Sequence, residues 1–168
     1  SPEAKAVGIP MGAPWFKVRE EAEAKEVKAL SSNYALYASM SDRIVGVLRQ
    51  FSPDVEVYSI DESFLRLDGF AARQEQDPGF YAAYGAQIRQ RVLQWVGLPT
   101  CVGIGPTKTL AKLANHLAKK GGARFAGVCS FIGMPQEEQV TLMASQPVEE
   151  VWGIGRKLSE QLQAAGIH

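Results

Sequence analysis

From Tyr34 onward the chain switches between two hydrophobic periods, and the switches mark its elements. Tyr37, Met40, Ile44, Leu48 and Phe51 recur at steps of three and four, with Ser32 or Asn33 ahead of them as a cap. This predicts a helix over 34–50. The period then drops to two. Val55, Val57 and Ser59 fall on one side and Glu56, Tyr58 and Ile60 on the other, a strand over 55–60, and 63–68 can form a second. Tyr81, Tyr84, Ile88, Val92 and Trp95 restore the helical step and predict a helix over 80–96 with those side chains inward. A strand over 100–104 follows, then a helix over 108–119 with Leu110, Leu113, Ala114 and Leu117 as its buried stripe, then a strand over 126–132. A linking helix is expected over 136–145, and Leu158 and Leu162 point to another after Gly155. Ahead of Tyr34, 20–28 is charged and helical within an exposed run from Lys17 to Lys28, and Pro10 and Pro14 break what precedes it. Asp77-Pro78-Gly79 and Gly121-Gly122 are loops.

The order α-β-β-α-β is that of a ferredoxin-like βαββαβ unit without its first strand. That strand is central in such a sheet, and nothing in residues 1–30 has the pattern to replace it. The expected fold is therefore α+β, with a gap in the sheet, in a chain read as truncated. Unpaired backbone groups along the gap call for a partner. Either the two halves close up in another register, or another chain supplies the edge, so self-association through the open sheet edge is expected.

Composition narrows the function classes. Nearly half of the 168 residues are apolar, enough for a core. Lysine plus arginine equals aspartate plus glutamate, 18 each, so any nucleic-acid binding must come from local patches such as Lys108, Lys112, Lys119, Lys120 and Arg124. Cys101 and Cys129 fall in strands and read as small buried residues. With His116 and His168 the only histidines, a zinc site is not expected. No signal peptide or membrane-spanning run is visible, which points to a cytoplasmic protein with no membrane partner.

Three features carry candidate chemistry. Asp61 and Glu62 interrupt the apolar stretch Val57-Tyr58-Ser59-Ile60-Asp61-Glu62-Ser63-Phe64-Leu65. Adjacent carboxylates repel unless a cation lies between them, and a hairpin bend lets both face one point, which suits Mg²⁺; the plainer reading is a solvated turn. Lys108, Lys112 and Lys119 project on one helix face, suited to a triphosphate or a nucleic-acid backbone, or simply a solvated face. Gly153-Ile154-Gly155 allows close backbone approach, as in a helix-hairpin-helix that holds DNA phosphates through its amides; it is equally readable as a helix-capping loop.

In this order, the three features resemble the Y-family translesion DNA polymerases, of the UmuC-like branch. Met11-Gly12-Ala13-Pro14-Trp15-Phe16, Ser31-Ser32-Asn33-Tyr34, Tyr58 to Phe64, Gly103 to Lys120 and Val151-Trp152-Gly153-Ile154-Gly155 carry the resemblance, across nearly the whole chain. It implies a fingers remnant over 1–33, a ferredoxin-like palm lacking its first strand over 34–133, and a linker helix with the start of a helix-hairpin-helix thumb over 134–168. Asp61 and Glu62 match the palm carboxylates that hold two Mg²⁺ ions for nucleotidyl transfer. Lys119 matches the lysine on the incoming triphosphate. Lys5 stands where many relatives carry a triphosphate-binding arginine, and it lacks the guanidinium fork. Gly153, Gly155, Lys157, Lys108 and Lys112 would lie against DNA. The resemblance implies primer-template DNA and dNTP as substrates, and an accessory subunit, a recombinase filament and a sliding clamp as partners in the SOS response. The family's N-terminal strand, with a further metal-binding aspartate, has no match in residues 1–31, so this chain alone is expected to be inactive. A non-catalytic DNA-backbone-binding or self-associating module is the alternative.

Overall fold

The computed structural model describes every residue from Ser1 to His168, and the chain divides into two compact units, Ser1–Ala35 and Leu36–His168. The first holds α1 (Pro2–Ala6) and α2 (Trp15–Ala24). Lys25 donates to the Val7 carbonyl at 2.6 Å and to Glu21 at 2.5 Å, tying the loop after α1 to the end of α2. α2 begins earlier than the expected 20–28, because Pro14 occupies the N-cap and its fixed φ leads into a helix instead of interrupting one. It ends early because Glu26 is left-handed, at φ 58°.

The second unit takes up most of α3 (Tyr34–Leu48), followed by β1 (Val55–Val57), β2 (Ser63–Leu65), α4 (Ala71–Gln76), α5 (Phe80–Val96), β3 (Val102–Ile104), α6 (Lys108–Lys120), β4 (Val128–Ser130), α7 (Gln136–Ala144) and α8 (Arg156–Ala164). The strands form two separate ribbons. β1 and β2 pair antiparallel, with Glu56 opposite Phe64, and β3 and β4 pair parallel, with Gly103 opposite Cys129. Val47 and Leu48 of α3 and Ile88 and Val92 of α5 form one buried core, against which Val55, Leu65 and Val102 pack. Both ribbons therefore rest on the same helix pair. A cleft of about 1030 Å³ lies between them, lined by all of β2 and β3 and floored by Ile44, Val45, Leu48, Ile88 and Val92. The sheet is open where the sequence pattern lacks a central strand, and the halves do not close up.

α6 packs on the other face of the parallel ribbon, opposite α5. A Cβ on Gly85 of α5 would meet Val128, Ile104 and Val102, whereas a Cβ on Gly103 would lie 2.1 Å from the Asn115 nitrogen and 2.2 Å from the Ala111 carbonyl oxygen. Only glycine fits at 103. The second core sits on this face: Leu113, Ala114, Leu117 and Ala118 against Cys129, Phe131 and Leu142. Thr107 caps α6, its Oγ1 accepting from the Leu110 N–H at 3.2 Å. Cys101 and Cys129 are free thiols, and burial pushes Cys129 up to about 11, so it stays protonated at neutral pH.

Other differences have local causes. All four strands are three residues long; β1 stops at Val57 because the Tyr58 and Ser59 N–H groups already turn to the Glu62 carbonyl, at 3.1 and 3.0 Å. Trp95 points outward, 58% exposed, with the Arg91 guanidinium 4.8 Å from its ring centre. Tyr81 and Tyr84 do turn inward, donating to the Leu67 and Phe51 carbonyls at 3.0 and 2.7 Å; burial raises both phenols above their ordinary value. Between α7 and Gly153 the chain makes a single 3-10 turn, Val148–Glu150. No helix is long and apolar enough to cross a membrane.

Candidate active site

The cleft between the ribbons gathers most of the chemistry-bearing residues. Asp61 and Glu62 from the hairpin loop, and Lys108, Lys112 and Lys119 from α6, all line it. The hairpin puts the carboxylates there because its ladder opens after Val57 and the loop folds back on Glu62. α6 puts the lysines there because its opposite face is committed to the second core, leaving the i, i+4 lysine row turned toward the hairpin.

Asp61 is exposed, and its Oδ1 accepts from the Ser59 hydroxyl at 2.7 Å. Glu62 is half-buried, and both its oxygens accept from the Lys112 ammonium, each at 2.9 Å. Lys108 pairs with Glu56 and lies 5.3 Å from the centre of the Phe64 ring. The register had put Glu56 and Phe64 opposite one another on a single face, and Lys108 covers both. Lys119, about two turns beyond Lys112, is exposed at the cleft. The buried Thr100 Oγ1 and Asn115 Oδ1, on residues that also line the cleft, have no hydrogen-bond partner.

The remaining residues lie elsewhere. Lys5 is exposed on α1, in the first unit. Gly153 is left-handed at φ 94° with open space where a Cβ would be, and Gly155 is the N-cap of α8, which carries the exposed Lys157. Gly153 and Gly155 are exposed, so the backbone of the turn reaches the surface, while the Ile154 N–H between them donates to the Val151 carbonyl at 3.0 Å.

Two participants escaped the sequence reading. Trp152 meets Tyr58 edge-to-face at 5.3 Å and lies 5.1 Å from the Lys112 ammonium. His116, read as a surface or boundary residue, puts Nδ1 3.0 Å from Glu150 Oε2. Trp152 was visible in the sequence only within the Val151 to Gly155 string, and His116 only as the residue four after Lys112 on α6; neither contact was legible there.

For a hard divalent cation the donor set is suitable in kind, two carboxylates beside a row of ammonium groups that suit phosphate. An ammonium already sits against both Glu62 oxygens, so that side chain is oriented toward a positive charge. No group of three or more His, Cys, Asp or Glu side chains gathers to hold a metal.

Comparison with known proteins bears on this arrangement. The model of the impB/mucB/samB family matches residues 1–116, and that of the IMS family HHH motif matches residues 137–167. The ImpB protein of Salmonella typhimurium is 48% identical over 168 residues, covering 100% of this chain and 38% of the relative. The UmuC protein of Salmonella typhimurium strain LT2 is 45% identical over 167 residues, 99% of this chain and 38% of its own length. DNA polymerase IV of Moorella thermoacetica is 35% identical over 133 residues, 79% of this chain and 30% of the relative. The chain thus spans well under half the length of the curated relatives it matches. Among solved structures, the insertion ternary complex of Dbh DNA polymerase superposes with a TM-score of 0.77 at 25% identity, over 99% of this chain and 44% of that one. DinB from Sulfolobus solfataricus superposes with a TM-score of 0.76, also at 25% identity, over 100% of this chain and 46% of that one.

Proposed function

The chain belongs to the impB/mucB/samB family, and on that premise we propose that it forms the palm-centred core of a UmuC-like Y-family polymerase that extends a primer by nucleotidyl transfer in translesion synthesis. One observation carries the reading: a single cleft holds Asp61 and Glu62 on one wall and Lys108, Lys112 and Lys119 on the other. Residues 1–33 belong to the fingers, 34–133 to the palm, and 134–168 to a linker and the opening of the thumb.

Asp61 and Glu62 would hold Mg²⁺, which when bound supplies Lewis-acid charge for phosphoryl transfer. Lys119, exposed at the cleft, neutralises the incoming triphosphate. Gly153 and Gly155 present amides to the DNA backbone, with Lys157 beside them. Lys108 and Lys112 contribute charge to the DNA-facing side of α6, although their closest partners in the free chain are Glu56 and Glu62. The setting is the cytoplasm, in the SOS response, alongside an accessory subunit, a recombinase filament and a sliding clamp. By itself this chain is inactive or nearly so, and its open sheet edge pairs with a second copy. A non-catalytic module that grips DNA phosphates is the second reading, favoured by the two lysines already paired with carboxylates.

Titration with a fluorescent dNTP separates the two readings. The polymerase reading expects binding that requires Mg²⁺, is abolished by Asp61→Ala, and weakens roughly tenfold in Lys119→Ala, the loss of one charge-assisted hydrogen bond. Binding indifferent to both Mg²⁺ and Asp61→Ala would leave the non-catalytic module.

A further inference from the structure

Lys112 stands where three parts of the second unit meet. Its ammonium is 2.9 Å from each Glu62 oxygen, 5.4 Å from the centre of the Tyr58 ring and 5.1 Å from that of Trp152. Phe64 closes the cluster, 5.8 Å from Tyr58 and 5.9 Å from Trp152. Tyr58 and Phe64 flank the carboxylates within the β1–β2 hairpin, whereas Trp152 immediately precedes Gly153. One turn along α6, His116 meets Glu150 at 3.0 Å. The C-terminal hairpin is therefore fastened to α6 at two points, and at the first of them the cation is shared with Glu62.

The physics of that sharing is directional. An ammonium is a compact point charge on a flexible stem, and it settles where a carboxylate and ring faces attract it together. Glu62 fixes where the ammonium sits, and the ammonium in turn holds the face of Trp152. No hydrogen bond, ion pair or ring contact joins the Glu62 carboxylate to Trp152 directly; Lys112 is the side chain that touches both, beside the Tyr58 and Phe64 rings, which reach Trp152 from the same hairpin.

We propose that Lys112 is a positioning residue through which the Glu62 carboxylate holds the Gly153–Gly155 hairpin in its seat. Removing the Glu62 carboxylate, or engaging it with another partner, releases the ammonium and loosens Trp152; the intact Lys112–Glu62 pair keeps the hairpin docked. Where Glu62 takes up a cation, the reading of the preceding subsection on which this consequence rests, the DNA-gripping turn is set free as the site fills.

The test uses the 168-residue chain carrying Trp15→Phe and Trp95→Phe, which leaves Trp152 as its one tryptophan. Two signals are followed: Trp152 emission, and hydrogen exchange of the Ile154 N–H, which donates to the Val151 carbonyl at 3.0 Å. Glu62→Gln is expected to red-shift the emission and speed Ile154 exchange about two- to fivefold, the scale of one exposed cation–π contact. Lys112→Met should do the same, the double variant should do no more, and Lys112→Arg, which keeps a charge in the cage, should retain wild-type values. Exchange of the Phe131 N–H, bonded to the Ile104 carbonyl at 2.9 Å, should be unchanged throughout and reports an intact core. A Glu62→Gln variant with wild-type emission and exchange, or effects that add in the double variant, would overturn the coupling. Mg²⁺ added to the parent should reproduce Glu62→Gln. If Mg²⁺ does nothing while the variants coincide and do not add, the coupling stands and Glu62 is not a cation ligand.

Discussion

Asp61 and Glu62 stand out in the sequence because two charges interrupt a β-prone apolar run, and the structure carries both to the wall of one cleft. Gly103 is as demanding a position, for a steric reason instead of a chemical one. With backbone atoms of α6 at 2.1 and 2.2 Å from where its Cβ would be, no side-chain rotamer can relieve the clash. Gly103→Ala is expected to cost at least the roughly 1–3 kcal/mol of ordinary overpacking, with α6 displaced from the parallel ribbon; urea denaturation measures it. Unfolding at the wild-type midpoint would contradict the close approach. The glycine is visible in the sequence only as part of a turn-like Gly-Ile-Gly string. Nor was the Lys112–Glu62 pair legible there: the partners are 50 residues apart, and helical spacing says which lysines share a face but not what that face meets.

At the level of elements, the helices were the most legible part. The helix expected over 80–96 is α5 to the residue, and the one expected over 108–119 is α6 with one residue added, because each has a long apolar stripe and a clear stop, Gly97 and Gly121. Strands were overextended, since alternation of residue types continues into the hairpin loop after the hydrogen bonds have turned away. Trp95 was misplaced for a similar reason: it keeps the helical step, but it lies at the end of α5, where Arg91 covers its ring in place of the core. The open cleft follows from strand order, and its edges on β2 and β3 each carry pairing on one side only. Exposed edges are templates for pairing. The mass of the chain measured by light scattering is therefore expected to rise from monomer toward dimer with concentration. A peptide strand occupying the cleft should suppress that rise. A monomer at all accessible concentrations would count against pairing through the gap.

The whole molecule carries no net charge, yet its lysine row and its carboxylates line one cleft of about 1030 Å³, with Lys112 paired to Glu62. The family could be read in the sequence, because the Ser-Ile-Asp-Glu string, the lysine helix and Trp-Gly-Ile-Gly occur together and in order over nearly the whole chain. What could not be read is how the last of these is fastened to the first, through Trp152 on Tyr58 and Lys112. The central proposal is that this cleft is a nucleotidyl-transfer site. Primer extension with Mg²⁺ and dNTPs tests it most directly, comparing this chain with one lengthened at its N-terminus by the family's first strand. Extension by the lengthened chain alone, lost on Asp61→Ala, is the result expected. No extension by either, even with the rest of the thumb and the little finger restored, would contradict the catalytic reading and leave a role in binding or assembly.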